Sequence, residues 1–465
     1  MWISISPTSE ETYLITDTNR STQIVENMNG KLRNMNALTY KLLILFLGMA
    51  LVCQAQVDGE ILKPQKGIFL LQNASLVTVT EGILENTDLL ISDGLIQHIG
   101  KNISTSEAQV IDCTGKFVYP GLIDSGSRLG LVEVNSLAET QDYMELGNVT
   151  PNMQALTAIN PNSVAIPVTR VNGVTSSIAL PSGGLFPGTA VLIHLNGYTP
   201  AQMYGGFKGV LLNFPSSART STYDTRTDEK VQKEAEEAQK KLDDIWERAV
   251  SYHRLKSAGA TLDYYPEMAH LSQVIAGEIP LMVEANAAVD IRRAIKWLKE
   301  KNVTAILSGV SEGWRIAEEI AESGLPVIAG PVLTIPSRQS DRYDAAYTNP
   351  GLLAKAGVKV ALRTNDAENV RNLPFHAGFA AAYGMGKEEA LKAVTINPAE
   401  IFGLEKQIGS LEEGKMANLF ISDGDPFEPR TQISHLFIQG YKIPMTNRQI
   451  RLYQEFNERS PGLEQ

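Results

Sequence analysis

Pro280-Leu-Met-Val-Glu284, Thr304-Ala-Ile-Leu-Ser308, Pro326-Val-Ile-Ala-Gly330 and Val358-Lys-Val-Ala-Leu-Arg363 are four short apolar runs at near-regular spacing. Each is too short to be a helix and has the composition of a strand buried on both faces. Between them, Ala288–Glu300, Glu312–Glu322 and Pro350–Ala356 carry helical patterns. The alternation predicts βα units and therefore a parallel sheet, doubly wound or closed as a barrel. Residues 121–404 span about 280 positions, near the roughly 250 typical of a (β/α)8 barrel. Further back, Thr175–Leu180 reads as a strand. The Gly/Pro stretch Pro181-Ser-Gly-Gly-Leu-Phe-Pro-Gly188 reads as a βα loop at the barrel mouth.

The two ends have a different texture. Ile68-Phe-Leu-Leu, Asp88-Leu-Leu-Ile-Ser92, Gly94-Leu-Ile-Gln-His-Ile99 and Lys116-Phe-Val-Tyr119 are strand-like, with the hairpin signal Ser92-Asp93-Gly94 among them. Ala417-Asn-Leu-Phe-Ile-Ser422 and His435-Leu-Phe-Ile-Gln-Gly-Tyr-Lys-Ile443 repeat that texture. The expectation is an α/β chain in which residues 56–120 and 405–465 build one small β-sandwich around a barrel at 121–404. Asp228–Arg254 is charge-dense, with Leu242, Ile245, Trp246 and Ala249 three or four apart. That spacing makes it an amphipathic helix with a solvated face.

The 465 residues are 43% hydrophobic and 20% charged, which supports a packed core and excludes global disorder. A net charge of −11 argues against a nucleic-acid or anionic-membrane binder. Two cysteines exclude a thiolate cluster or a disulfide framework, while six histidines leave room for one metal site. Residues 1–27 are polar and aperiodic, and read as a dispensable or disordered extension. Residues 28–55 combine a basic flank, the apolar run Leu42–Val52 and the small-residue site Cys53-Gln-Ala55. This is the pattern of a secretory signal peptide cleaved after Ala55, with lipidation at Cys53 as the alternative. The expected location is secreted or periplasmic, with no membrane association after cleavage.

Gly115-Lys-Phe-Val-Tyr-Pro-Gly-Leu-Ile-Asp124 resembles the entry to the first barrel strand of the amidohydrolase superfamily. Thr395-Ile-Asn-Pro-Ala-Glu-Ile-Phe-Gly-Leu404 and Ile408-Gly-Ser-Leu-Glu-Glu-Gly-Lys-Met-Ala-Asn-Leu-Phe420 resemble its carboxyl signature. Gly173-Val-Thr175, Asp290-Ile-Arg292, Ala356-Gly-Val358 and Leu373-Pro-Phe375 resemble the imidazolonepropionase-like branch. The resemblance covers about residues 67–455. It implies a distorted (β/α)8 TIM barrel with a β-sandwich from both termini. It also implies hydrolysis of C–N bonds in cyclic amides or in N-acyl and dipeptide-like compounds. One or two divalent metals, typically Zn, activate water in that chemistry by lowering its pKa towards 7. An Asp on the last strand acts as base.

The chain departs from the family at the metal ligands. The family's first strand ends Asp-x-His-x-His; here it reads Asp124-Ser-Gly126-Ser-Arg128. Glycine has no donor atom and arginine is a fixed cation. Glu284 stands where a later strand would carry His, and Ile306-Leu-Ser-Gly309 carries none. Lys208 is the nearest candidate for a bridging lysine. Asp366, after Leu362-Arg-Thr-Asn365, matches the base. No metal ligand set is therefore assigned, and no metal or other cofactor is expected at full occupancy. Ser125, Ser127, Arg128, Glu284, Arg338, Arg363 and His376 are expected around the pocket. Arg338 is read as a clamp for a substrate carboxylate or as half of a salt bridge. Glu284 and Asp366 could hold a hard cation, act as metal-free acid and base, or pair with Arg128 or Arg363 in a structural network. Three functions follow: an exported amidohydrolase, a silent barrel that binds a small molecule or pairs with an active homologue as a homo- or hetero-oligomer, and metal-free carboxylate catalysis.

Overall fold

The computed structural model describes residues 62–219, 225–336, 338 and 340–459. The extension, the leader, Cys53 and the cleavage point after Ala55 lie outside the described residues. The chain from Lys63 onward is one unit. It starts with β1 (Phe69–Val77), β2 (Ile83–Ser92), β3 (Leu95–Gly100), β4 (Gln109–Asp112) and β5 (Phe117–Pro120). Asp93-Gly94 joins β2 to β3 with φ of +52° and +83°. That is the two-residue hairpin geometry Asp-Gly adopts at little steric cost.

The barrel follows as β6 (Leu122–Ser127), β7 (Val174–Ala179), β8 (Gly188–His194), β9 (Tyr204–Asn213), β10 (Leu281–Ala285), β11 (Ala305–Gly309), β12 (Val327–Ala329) and β13 (Val360–Leu362). These eight lie in one sheet in chain order. Asn365 N donates to Gly126 O at 2.9 Å and Arg128 N to Asp366 O at 2.8 Å. These bonds join the first strand to the segment after the last. Every strand sends an apolar side chain inward, from Ile123 of β6 and Ile178 of β7 round to Ile328 of β12 and Ala361 of β13. The interior is a packed core.

β8 corrects one expectation. It runs antiparallel to both β7 and β9, so Pro181–Gly188 links antiparallel neighbours and is not a βα loop. A parallel crossover needs a dozen or more residues, and this connection is shorter. From β9 onward the strands are parallel.

The helices of this half are α1 (Asp228–Ser257), α2 (Pro266–Ile275), α3 (Ala288–Lys301), α4 (Ala317–Ser323), α5 (Ala345–Lys355), α6 (Leu373–Ala380), α7 (Lys387–Lys392) and α8 (Ile396–Ile401). In α1 the Thr227 side chain accepts from Lys230 N, and Asp228 and Glu229 occupy the first turn; both features favour a helix start. Its buried face contains Leu242, Ile245, Trp246 and Ala249, and Trp246 meets Trp297 of α3 edge-on at 5.1 Å. Burial of each large apolar side chain contributes about 1.5–3 kcal/mol. The expected helix at Glu312 begins later: Gly313–Arg315 is a 3-10 turn and α4 starts at Ala317.

The chain returns with β14 (Leu419–Ser422), β15 (Ile433–Ile438) and β16 (Tyr441–Ile443). β14 pairs antiparallel with β5 and so joins the two ends of the chain in one sheet, in the order β16-β15-β14-β5-β1-β2-β3 with β4 on β1. Three strand spacings separate β15 from β1, roughly 14 Å in a flat sheet. The Phe69 and Phe437 rings nevertheless lie 5.1 Å apart. The sheet folds over its own core, which also holds Leu71, Leu89, Ile91 and Leu419.

Candidate functional site

The strand ends β6, β10, β11 and β13 meet around Arg363. Its side chain is 3% exposed. Nη1 and Nη2 donate to Glu284 Oε2 and Oε1, each at 2.7 Å. Nη1 also donates to Ser308 Oγ at 2.8 Å, and Nε to Gly330 O at 3.2 Å. Four of the five guanidinium N–H groups are therefore used inside the barrel. Burial alone would raise the Glu284 pKa; the Arg363 charge and the hydrogen bonds from Arg363, Asn286 and Ser308 hold it below its ordinary value.

The residues do not fit a divalent metal. A Cβ at Gly126 would stand 2.7 Å from Leu180 Cδ1 and 3.1 Å from Arg363 Cδ. The arginine stem thus fills the space a ligating side chain would need. Arg128 lies over the Tyr143 ring at 4.8 Å. At Gly309, φ is +83° and a Cβ would meet Asn286 Oδ1 and stand 2.5 Å from Glu284 Oε1. Lys208 Nζ bonds Gln154 Oε1 at 2.8 Å. It alternates with the inward-packed Phe207 and Leu211, so it faces away from the interior. Among the described residues no three His, Cys, Asp or Glu side chains gather as a metal site.

Asp124 is fully buried beneath the pair. Its Oδ1 accepts from Gly126 N at 3.0 Å and Thr364 N at 3.1 Å, and Oδ2 meets Thr364 Oγ1. Burial pushes its pKa up to about 7 against the opposing pull of those bonds and of Arg363. Ser127 Oγ pairs with Ser177 Oγ at 2.8 Å. Among the described residues Ser125 Oγ is buried without a partner.

Asp366 sits at the head of a 3-10 turn. Its Oδ1 accepts from Ala367 N at 2.6 Å, Glu368 N at 2.9 Å and Asn369 N at 3.0 Å. Partial burial acts to raise its pKa, but these bonds and the Asn369 side chain hold it low. His376 is buried, with Nδ1 accepting from Val332 N at 3.1 Å. Burial lowers its pKa to about 4, against the Asp366 charge, so it is a neutral prop for the segment after β12. Of the other histidines, His98 and His435 lie in the terminal sheet, His194 ends β8, and His253 and His270 lie in α1 and α2.

A cavity of about 390 Å³ opens over Arg363 and Glu284. Arg338 lines it and is held by buried Glu312, Nε to Oε1 at 2.5 Å and Nη2 to Oε2 at 2.9 Å. Asn286, Asp290, Glu312 and Asn365 also line it, and sequence reading missed all four as site residues. Asn286 had a signal: two positions beyond Glu284 on a strand, it falls on the same face. Glu312 had none, because an acid at an expected helix start is ordinary. Of the residues expected at the pocket, Glu284, Arg338 and Arg363 meet here. Ser125, Ser127, Arg128, Asp366 and His376 do not line the cavity.

Residues 275–446 match the Amidohydrolase family. The structure is similar to that of an amidohydrolase from Thermotoga maritima MSB8, with a TM-score of 0.71 and 26% identity, covering 82% of this chain and 100% of that one. The family match and the shared fold support the amidohydrolase superfamily for this chain. An imidazolonepropionase of Brevibacillus brevis is 26% identical over 74% of this chain and 85% of its own length, in line with the imidazolonepropionase-like branch. A 5-methylthioadenosine/S-adenosylhomocysteine deaminase of Thermoanaerobacter pseudethanolicus is 23% identical over 82% of this chain and 94% of its own length. The amidohydrolase relatives define a family chemistry of hydrolysis at C–N bonds.

Proposed function

We propose that this chain is a silent member of the superfamily, which binds a small polar molecule at the barrel mouth without hydrolysing it. One observation carries the reading: the Arg363 side chain packs on Gly126 and binds Glu284, in the space where the family's ligands would converge. A buried guanidinium repels a second cation and cannot ionise water. Metal-free acid–base chemistry gains little support. Glu284 is tied to Arg363, Asp366 is capping a turn, and both are held in the ionised form. Family membership favours the competing reading, hydrolysis of a cyclic amide or N-acyl compound.

Elemental analysis of the purified chain, with an amide panel assayed with and without chelator, separates the two. Substoichiometric Zn, Mn or Fe and no chelator-sensitive turnover are expected. Full occupancy with chelator-sensitive hydrolysis would overturn the proposal. Export, and pairing with an active homologue, belong to the same reading; amino-terminal sequencing of the mature chain is expected to begin after Ala55.

A further inference from the structure

A second cavity, of about 420 Å³, lies between the terminal sheet and the barrel helix α7. Its walls include Val77, Val79, Ile83, Tyr119, Leu391 and Phe427. Thr80, Lys387, Glu388, Lys392 and Asp425 also line it. Lys387 pairs with Asp425 at 2.7 Å and Lys392 with Glu389 at 2.7 Å. Two further observations mark the space as built to be occupied.

The first is Tyr119. Its side chain is 92% buried and stacks on Phe420 at 5.5 Å. Among the described residues its hydroxyl makes no hydrogen bond and is not sealed from open space. A buried tyrosine hydroxyl ordinarily finds a partner. Burial and the Asp425 charge push its pKa up to about 12, so it stays a neutral donor. The second is Val79, at φ +76°, a conformation a β-branched residue rarely adopts. Thr78 imposes it by pinning the turn: Thr78 N and Oγ1 both bond Gly82 O, and Glu81 N bonds Thr78 Oγ1. Strain of this kind gathers at ligand clamps, and Val79 forms part of this wall.

We infer that the seam is a second binding site, for a small uncharged and mainly apolar molecule with one acceptor oxygen, a ketone or ester carbonyl, which takes the Tyr119 hydroxyl proton as a hydrogen bond. Both lining lysines, Lys387 and Lys392, are already paired, which disfavours an anion. The larger apolar share of the wall disfavours a sugar, whose many hydroxyls would lose water there.

Acetophenone and ethylbenzene, matched in size and differing in the carbonyl, are the probes. Binding to the full chain is followed by saturation-transfer NMR and titration. Acetophenone is expected to bind about fivefold more tightly than ethylbenzene. Tyr119→Phe should erase that preference while leaving ethylbenzene affinity unchanged. Leu391→Trp should fill the cavity and abolish both, with an unaltered circular dichroism spectrum as the check on folding. Asn286→Leu, at the barrel mouth, should change neither. The inference falls if neither probe binds saturably, if Leu391→Trp leaves binding intact, or if the carbonyl preference survives in Tyr119→Phe. Loss of binding in Asn286→Leu alone would assign the probes to the mouth and also overturn it.

Discussion

At the barrel mouth Arg363 and Glu284 satisfy each other, and Ser308 and Gly330 take further guanidinium hydrogens. At the seam the Tyr119 hydroxyl meets no such partner, and the wall beside it carries a strained valine. Both spaces are of ligand size. The difference lies in what the protein has already supplied. At the mouth the chain places its own cation among the strand ends, and its own carboxylate against that cation. At the seam it leaves a donor waiting. At the mouth the lining carboxylates Glu284, Asp290 and Glu312 each meet an arginine of the same chain. A mainly apolar pocket with one hydroxyl unpartnered among the described residues reads as a binding site.

The sharpest way to break that contrast is to remove the internal cation. Arg363→Ala leaves the Glu284 carboxylate unpaired and a void over Gly126. The expected loss is about 3 kcal/mol in urea unfolding. The double variant Arg363→Met with Glu284→Met removes both charges and should lie within about 1 kcal/mol of the parent. If the double variant is as damaged as the single one, the pair is not a self-contained substitute for a metal centre.

A smaller effect concerns Asp124, beneath the same pair. Its folded pKa of about 7 lies above the ordinary 3.8, so the native state binds this proton more tightly. Its contribution to stability therefore falls as pH rises from about 4 to 7. His194 and His376 act with the opposite sign. Burial lowers both to about 4 from 6.5, so stability is lost as pH falls through that interval. Two histidines outweigh one carboxyl below pH 6.5, and the carboxyl acts alone just above it. Maximum stability is expected near pH 6.5. Asp124→Asn mimics the neutral acid: Oδ1 can accept both backbone N–H groups while Nδ2 donates to Thr364 Oγ1. It should gain on the order of 2 kcal/mol at pH 8 and little at pH 4. Urea unfolding across pH tests this, and a loss at pH 8 would show that the mouth needs the ionised carboxylate.

The parallel half of the barrel was legible because each strand from β10 to β13 is a contiguous apolar run beside a helical pattern. The antiparallel β8 was not, because a strand's direction is set by the length and path of its connection and not by its composition. At the mouth, Glu284 and Arg363 stood out as an unusual acid and base at strand ends. That they pair with each other, leaving Arg128 to Tyr143, depends on barrel closure 79 residues apart in the chain. Asp366 matched a family position, yet three backbone N–H groups capture it because the turn at Asn369 begins there. The seam had no local signal at all. Its walls come from residues 77–83, 119, 387–392 and 425–427, and only the joining of the two chain ends brings them together.

The smallest expected effect tests the seam directly. Removing the hydroxyl of a hydrogen-bonded buried tyrosine costs roughly 1 kcal/mol or more, since its partner is stranded. Tyr119 has no partner to strand, while its ring packing on Phe420 is kept by phenylalanine. Tyr119→Phe should therefore change unfolding free energy by less than about 0.5 kcal/mol. The ligand-free protein is the right one to measure, because a bound carbonyl would add its own linkage to the parent alone. A loss well above 1 kcal/mol would mean that the hydroxyl is held within the fold, and the seam would then resemble the mouth. A null result keeps the two regions distinct: one region has closed on its own charges, and the other presents a hydroxyl that no described residue partners.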